Sequence, residues 1–256
     1  MKTLNVYLKI VALSLVLFNP AMAQRSVSRW SNYDAITTYR LGMQGVNLGE
    51  LNQALQQAGY GNLSSQVPVI SVTSQFSRAN KPLAFQSEFG LSFGSGQRVT
   101  NGAYKATSGF YYFKIGGTYS LIHSEKFQLG PQLSIITIPF HLGVEPVSST
   151  APSLNTILTN PGSTQKATLR TSSGGIDAGL TAHLRIPYSQ RQLDCSTMER
   201  SFVIGLDAGY RFTGRSPLDA SHEISANNPA IQLSGWYAGL RLGFGTRVRS
   251  TTPVTY

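Results

Sequence analysis

Within several stretches of the chain, apolar residues occupy every second position and charged residues fall among the positions between them, and this spacing is its most chemically informative pattern. Successive side chains of a strand point to opposite faces, so these charges would share one face. An enclosed charge without a partner is strongly unfavourable, so charges of both signs would have to pair there. We therefore predict that these residues form one charge network on the enclosed face of the strands, which we call the lumen charge network. Its members are Glu88, Lys114, Asp177, Arg185, Asp207, Arg211, Arg241 and Arg247.

Arginine outnumbers the acids in this set, which leaves two interpretations open. A narrow pore lined by arginine would prefer anions. A packed polar core would use the same residues to fill the interior, and the spacing favours this second interpretation.

The histidines are the candidates for nucleophilic catalysis. His222 lies in "ASHEIS" beside Ser221 and Glu223, and "HSE" begins at His123. A catalytic triad requires three groups that converge in space, which neighbours in one loop rarely achieve. We predict no catalytic residue. His183 is expected to be a hydrogen-bonded filler of the interior, and His141 carries no assigned role. No cluster has metal-site spacing, so neither a metal nor a cofactor is predicted.

The elements that carry these residues are strands of period two. The last one is the clearest: Trp236, Ala238, Leu240, Leu242 and Phe244 alternate with glycine, tyrosine and arginine. A soluble β-sandwich also alternates. A face made of glycines interrupted by charged residues suits a narrow lumen better than a solvent-exposed face. Girdles of aromatic residues near both strand ends are typical of membrane barrels. The predicted girdle residues are Phe85, Phe93, Tyr188, Phe202, Phe212 and Trp236.

Eight strands follow from the same alternation. Their predicted spans are 35–43, 67–77, 83–94, 108–121, 127–141, 167–186, 201–213 and 233–248. The connections alternate long and short, as in outer-membrane barrels with long external loops and short periplasmic turns. The long connections, 44–66, 95–107, 142–166 and 214–232, would all lie outside. The sequence predicts an all-β, eight-stranded antiparallel transmembrane up-and-down β-barrel.

Two strands alternate poorly. The first, "AITTYRLGM", is irregular. In the fifth, Leu133 and Ile135 share one face while Ile136, Ile138 and Phe140 take the other, and a β-bulge near Pro139 would explain the switch.

One short helix is predicted in the first external loop, over residues 47–59. Asn47 and Glu50 have the spacing of a capping box, Leu51 and Leu55 share a face, and Gly59 can end the helix. The helix is either an ordinary amphipathic loop helix, which we favour, or a lid over the barrel mouth or a segment in the lumen.

The amino-terminal 23 residues have the features of a signal peptide. Lys2 and Lys9 lie before a short apolar run that begins at Ile10. Ala21 and Ala23 then form a small-x-small cleavage site before Gln24. We predict a cleaved signal peptide over residues 1–23 and a barrel domain over residues 24–256. The lone Cys195 cannot form an internal disulfide.

Composition agrees with this interpretation. Only 12% of residues are charged and 25 are glycine, which is unusual for a helical soluble enzyme. The net charge of +10 could indicate nucleic acid, but an exported chain seldom meets any. Anionic lipid headgroups or an arginine-rich lumen account for it better.

The segments "LGELNQALQQAGYGNLS" and "GWYAGLRLGFG", with glycine-rich strands between them, resemble small outer-membrane β-barrel proteins of the OmpA/OmpX-like superfamily, the outer-membrane protein beta-barrel domain. The resemblance implies an eight-stranded closed barrel and carries over no catalytic residue. The chain departs from it in the tail "TTPVTY", where Pro253 interrupts extension to the terminal Tyr256.

These observations favour a monomeric, non-enzymatic barrel of the bacterial outer membrane with a plugged lumen. Its expected role is envelope-structural or surface-interacting through the external loops. The expected partners are outer-membrane lipid and a protein or surface ligand at those loops, with no nucleic acid. The alternatives are a lipid-modifying enzyme and a narrow anion-preferring channel.

Overall fold

A computed structural model describes residues 32–79, 81–93, 97–147, 167–193, 196–220 and 229–250. Several features named above lie outside the described residues and stay predictions. They are the signal peptide with its cleavage site at Ala21, Ala23 and Gln24, Cys195, His222 with its neighbours, and the tail with Pro253 and Tyr256.

Eight long strands make up the molecule, as the alternation predicted. They are β1 (Asn32–Gly45), β2 (Gln66–Arg78), β3 (Leu83–Ser92), β4 (Tyr104–Tyr119), β5 (Phe127–Pro146), β6 (Ala167–Leu193), β7 (Ser196–Thr213) and β8 (Gly235–Ser250). Shorter strands lie at Arg98–Thr100, Ile122–His123, Arg215–Pro217, Asp219–Ala220 and Ala230–Gln232. One helix, α1, spans Gly49–Gln57.

The eight strands close into a ring. Each pairs antiparallel with the next along the chain, from β1–β2 to β7–β8. β8 then pairs with β1, from Asn32↔Arg249 to Gln44↔Tyr237. Closure leaves no sheet edge, which is a condition for strands to cross a bilayer. The predicted eight-stranded up-and-down barrel is confirmed.

The two ends of the barrel differ in their connections. At one end, which we call the turn end, residues 79–82, 120–126 and 194–195 join strand pairs. At the other, the loop end, residues 46–65, 93–103, 147–166 and 214–234 do so. The predicted span for the sixth connection, 187–200, is wrong because β6 and β7 continue to Leu193 and Ser196. The hydrogen bonds between two strands join backbone atoms. β6 and β7 can therefore stay paired beyond the residues whose side chains alternate between apolar and polar.

The outer wall of the barrel is apolar. Side chains such as Leu206 (61% exposed) and Ile135 (73% exposed) point away from the lumen. Aromatic residues flank this band, with Phe93, Phe212 and Trp236 towards the loop end and Phe85, Tyr188 and Phe202 towards the turn end. An exposed apolar band between aromatic girdles is the lipid-facing surface of a membrane barrel.

The two strands that alternate poorly are regular in the structure. β1 pairs over its whole length on both sides. The bulge predicted near Pro139 is wrong, because β5 pairs with β6 from Phe127 to Val144 without a change of register. Ile136, Ile138 and Phe140 point into the lumen and are buried. The apolar residues change faces because the lumen itself becomes apolar towards the loop end.

The helix α1 is a lid over the loop end. Leu48, Leu51 and Leu55 are buried and belong to the same apolar cluster as inward-facing residues of the barrel such as Phe140. The predicted capping box does not form: Asn47 Oδ1 accepts the Gly49 amide at 3.2 Å, but Leu48 is the N-cap residue and Glu50 binds elsewhere. Gly59 follows the helix with φ +81°, a conformation that favours glycine. Among the described residues, no helix is long and apolar enough to cross a bilayer.

Candidate functional site

The candidate site is the interior of the barrel, because alternation turns its charged residues inward. The structure places all eight residues of the predicted lumen charge network inside, each with 4% or less of its surface exposed. They form two groups. A central group surrounds Glu88, Asp177 and Asp207, and a turn-end group surrounds Asp34.

Glu88, on β3, is the most heavily contacted acid. Its carboxylate lies 3.2 Å from Lys114 Nζ and 3.1 Å from Arg241 Nη2, while Arg40 Nη1 is 3.8 Å away. Three hydroxyls also donate to it, at 2.6 to 3.0 Å: those of Tyr112, Ser71 and Thr73. Hydrogen bonds and opposite charges together compensate the desolvation of this buried carboxylate.

Asp207, on β7, bridges two arginines of neighbouring strands. Arg40 Nε lies 2.9 Å from its Oδ1, and Arg241 Nε lies 3.2 Å from the same oxygen. The Arg40 side chain lies over Gly239 on the inner face of the barrel wall, where an added Cβ would lie 2.4 Å from Arg40 Nε. The glycines on the inward face therefore create the room that the long side chains occupy.

Asp177, on β6, completes the central group. It lies 2.9 Å from Arg211 Nε and 3.4 Å from Lys114 Nζ, and the Tyr237 hydroxyl donates to it at 2.8 Å. The Arg211 guanidinium lies against two aromatic rings, 4.0 Å from the Tyr112 centroid and 5.1 Å from that of Tyr237. Such cation–π contacts stabilise a desolvated guanidinium.

The turn-end group consists of one acid and two arginines. Asp34 accepts a hydrogen bond from Arg185 Nη2 at 2.6 Å and from Arg247 Nη2 at 3.2 Å. Arg247 Nη1 also donates to the Glu125 carbonyl oxygen at 3.4 Å. The sequence prediction thus combined two separate groups into one network.

Sequence reasoning missed four members of these groups: Asp34, Arg40, Tyr112 and Tyr237. Asp34 lay outside the predicted first strand, and Arg40 lay in the strand that alternates poorly. The two tyrosines occupy the same alternate positions as the inward charges, Tyr112 two residues before Lys114 and Tyr237 four before Arg241. That spacing was the available signal.

The described lumen contains more cations than acids. Four cations face three acids in the central group. In the turn-end group two arginines contact Asp34, and the half-buried Glu199 lies opposite Arg247 in the strand register. Several buried guanidinium nitrogens have no hydrogen-bond partner among the described residues: Arg40 Nη2, Arg185 Nε, Arg185 Nη1 and Arg211 Nη2.

Above the central group, towards the loop end, the lumen is apolar. Buried side chains of three barrel strands, β2, β4 and β5, fill it beneath the lid, and we call this part of the lumen the apolar layer. They are Val67, Val69, Ala106, Phe110, Ile136, Ile138, Phe140 and Leu142, with Leu218, Ile231 and Leu233 from the last loop. The interior therefore changes from ionic to apolar along the barrel axis.

The histidines do not come together in the described residues. His183 is buried in the lumen, where its Nε2 lies 3.2 Å from Thr181 Oγ1. His141 is exposed on the outer wall. In the turn beginning at His123, Ser124 bonds the backbone of Phe127 and Glu125 pairs with Arg249 at 2.8 Å. Burial and the nearby Arg247 lower the pKa of His123.

No group of three or more histidine, cysteine, aspartate or glutamate residues able to hold a metal ion occurs in the described part of the chain.

A closed antiparallel ring with an apolar exterior, aromatic girdles and a charged interior defines the small outer-membrane β-barrel class. The protein is a β-barrel of the bacterial outer membrane, as predicted.

Three solved structures are similar to this chain at low sequence identity. A major outer-membrane protein from Thermus thermophilus is 12% identical, with 83% of this chain and 98% of that chain covered and a TM-score of 0.40. Ail, the attachment invasion locus protein of Yersinia pestis, is 14% identical, with coverage of 85% and 99% and a TM-score of 0.38. Neisserial surface protein A is 12% identical, with coverage of 85% and 96% and a TM-score of 0.31. No family model matches the chain, and no curated protein matches it.

Proposed function

We propose that the protein is a non-conducting, non-enzymatic barrel that stabilises the outer membrane and presents its loop end as an interaction surface. One observation carries the proposal: side chains fill the described lumen along the whole barrel axis. The turn-end group, the central group and the apolar layer follow one another, and α1 covers the last.

Barrel size supports a closed lumen. An eight-stranded barrel is just wide enough for its own side chains to fill it. A passing ion would have to displace side chains such as Lys114 and Arg211, each fully buried and held by Asp177. It would then have to cross the apolar layer, whose few polar side chains, such as Ser108 and Ser173, replace little of its hydration shell.

The loop end supports the interaction role because its lid is firmly attached. Glu50 pairs with Arg215 and accepts the Ala230 amide at 3.3 Å, which joins α1 to the last loop. Asn52 and Leu63 exchange two hydrogen bonds, at 2.9 and 3.0 Å, which fix the chain after the helix. The exposed glutamines of α1 are therefore presented in a defined arrangement, suited to a protein or surface ligand.

A narrow anion-preferring channel is the second candidate. The excess of buried cations and the guanidinium nitrogens without partners favour it, since both would attract an anion. The apolar layer opposes it. The two functions differ in chloride flux, which liposomes measure directly.

The test uses purified protein in liposomes that contain a chloride-quenched dye. We expect the quenching rate on chloride addition to equal that of protein-free liposomes. A chloride flux proportional to the amount of protein would contradict the closed barrel and support the channel.

The enzyme alternative has its own test. Mass spectrometry of lipid A from cells with and without the gene should show the same acylation pattern. A deacylated or additionally acylated species that depends on the gene would contradict a non-enzymatic role. We expect the deletion strain instead to take up an impermeant dye faster, with uptake restored by the intact gene.

A further inference from the structure

Two exposed arginines lie on neighbouring strands of the outer wall at the turn end. Arg200, on β7, is two residues from the girdle residue Phe202. Arg191, on β6, pairs with Met198, which in turn precedes Arg200 by two residues. Residues that pair directly across two strands share a face, and so do residues two apart on one strand. Both arginines therefore point outward, on the same face as the aromatic girdle.

The spacing of these two arginines suits one bridging anion. Arg200 pairs directly with Ser189, and Arg191 lies two residues further along β6. Such diagonal neighbours have Cα atoms about 7 to 8 Å apart, within reach of long side chains. Two like charges at this separation repel each other, and an anion between them removes the repulsion. A phosphate can accept hydrogen bonds from both planar guanidinium groups.

No described acid lies beside this pair of arginines. Glu199 alternates with Arg200 along β7, so its side chain points to the opposite face, as does that of the buried Asp34. The exposed Glu125 pairs with Arg249 at 2.8 Å. Asp194 lies outside the described residues, and the experiments below include it.

The outer wall at the loop end is different, because acids accompany two of its cations. Lys105 pairs with Glu145 at 2.8 Å. Arg170 lies opposite Asp219 in the strand register. Two adjacent arginines without a described acid are therefore a particular feature of the turn end and not a general property of the wall.

The depth of the pair suits a lipid headgroup. Two residues span about 7 Å of a strand, so Arg200 lies just beyond the girdle residue Phe202. Aromatic girdles lie at the level of the headgroups. On the other side of Phe202 the lipid-facing apolar band begins, with Leu206 among its exposed residues. A lipid phosphate at the arginines would thus have its acyl chains against this band, a contact that a water-soluble anion does not make.

We propose that Arg191 and Arg200 bind the phosphate of an anionic phospholipid, such as phosphatidylglycerol, in the leaflet at the turn end. The exposed Ser189 hydroxyl shares their face and supplies a further donor. A zwitterionic headgroup binds less well, because its ammonium group would lie next to two arginines. This inference depends neither on the closed lumen nor on the surface role of the loops, so its failure would leave both intact.

The direct test is native mass spectrometry of the purified protein in detergent that contains equal amounts of phosphatidylglycerol and phosphatidylcholine. The measured quantity is the ratio of the two lipids in the complex with one lipid bound. We expect phosphatidylglycerol to exceed phosphatidylcholine at least fivefold, since one arginine near an anionic surface contributes about a fivefold gain in binding. The double variant Arg191→Gln with Arg200→Gln should bring the ratio close to equality. Equal binding by the intact protein, or an unchanged ratio in the double variant, would overturn the proposal.

The matched control is Arg170→Gln, because Arg170 is also exposed on the outer wall but lies at the loop end. It should keep the full preference for phosphatidylglycerol. The same loss in Arg170→Gln as in the double variant would show that net charge selects the lipid, which contradicts a site. A preference that appears only after Asp194→Asn would show that this carboxylate occupies the pair in the intact protein, and would contradict it as well.

A second measurement tests where the lipid binds. A fluorophore is attached at Tyr188→Cys, beside the pair, in a Cys195→Ser background; Tyr188 is 60% exposed. In vesicles, phosphatidylglycerol with brominated chains should quench it more than brominated phosphatidylcholine at the same mole fraction. A fluorophore at Phe212→Cys, near the loop end, should be quenched equally by the two lipids.

Two outcomes of the quenching experiment would contradict the proposal. One is equal quenching by the two lipids at Tyr188→Cys. The other is relief of the quenching by a hexaglutamate peptide, which would make an acidic protein segment the preferred occupant of the two arginines.

Discussion

The Tyr237 hydroxyl donates a hydrogen bond to Asp177 at 2.8 Å and accepts one from Gln132 at 2.7 Å. The Tyr237 ring also lies 5.1 Å from the Arg211 guanidinium. One aromatic residue thereby joins the acid of β6, the amide of β5 and the cation of β7. The Tyr237 hydroxyl can occupy this position only because residues 179 and 209 are glycines. A Cβ at Gly179 or Gly209 would lie within 2.5 Å of the hydroxyl oxygen.

Tyr237→Phe should lower the free energy of unfolding by about 1 to 3 kcal/mol, because Asp177 and Gln132 each lose a buried partner. The measurement is urea unfolding in phospholipid vesicles, followed by tryptophan fluorescence. Tyr210→Phe is the control, since that ring faces lipid and is 43% exposed. Equal effects of the two substitutions would contradict a central role for Tyr237.

Glu88→Gln should cost about 3 to 5 kcal/mol in the same assay, because Lys114, Arg241 and Arg40 would share less negative charge in a desolvated space. Glu125→Gln, in the turn, should change stability little. The double substitution Glu88→Gln with Lys114→Gln should recover part of the loss. Additive losses in the double variant would show that Glu88 and Lys114 are not coupled.

Gly90→Ala tests the space beneath Tyr112. The added methyl group would lie 2.3 Å from Tyr112 Cζ, so the ring must move and weaken its 2.6 Å bond to Glu88. We expect a loss of about 1 to 3 kcal/mol. Gly174→Ala is the matched control, since nothing lies within 4 Å of its added Cβ. A neutral Gly90→Ala would mean that Tyr112 does not occupy this space.

The period-two pattern predicted the strands, the closed ring and the inward charges because alternation is a local property of a strand. The pairing of particular charges was not predictable. Arg40 and Asp207 are 167 residues apart, and their 2.9 Å contact depends on the register of several strands at once.

The apolar layer misled the sequence reasoning for a related reason. A lumen was expected to be polar throughout, so Ile136, Ile138 and Phe140 suggested a change of face. Their inward orientation is explained by the lid of α1, whose Leu51 and Leu55 belong to the same buried apolar cluster. A loop helix and a strand distant from it in sequence had to be considered together.

Acid should loosen the lid. The hydrogen bond from Arg215 and its charge hold the pKa of Glu50 below the ordinary value of 4.5. A carboxylate with a lowered pKa stabilises the closed lid above about pH 4.5, and this contribution disappears as the pH falls through the lowered value. We expect the lid to be fully attached at pH 7 and to open more often once the pH falls below the lowered pKa of Glu50.

The measurement is the distance between spin labels on α1 and the last loop, introduced by Gln57→Cys and Gln232→Cys in a Cys195→Ser background. The distribution should broaden as the pH falls from 7 through the lowered pKa of Glu50. Glu50→Gln should give the broad distribution already at pH 7, with little dependence on pH. A narrow distribution in Glu50→Gln at pH 7 would show that this residue does not attach the lid.

The central claim is that the lumen is closed, and single-channel recording in planar bilayers tests it most directly. The intact protein, inserted at an amount that gives clear steps for a known porin, should show no steady open level at either polarity. Deletion of residues 49–57 should also remain closed, because the central charges still fill the barrel below the lid. Reproducible conductance steps from the intact protein, scaling with salt concentration, would contradict the account.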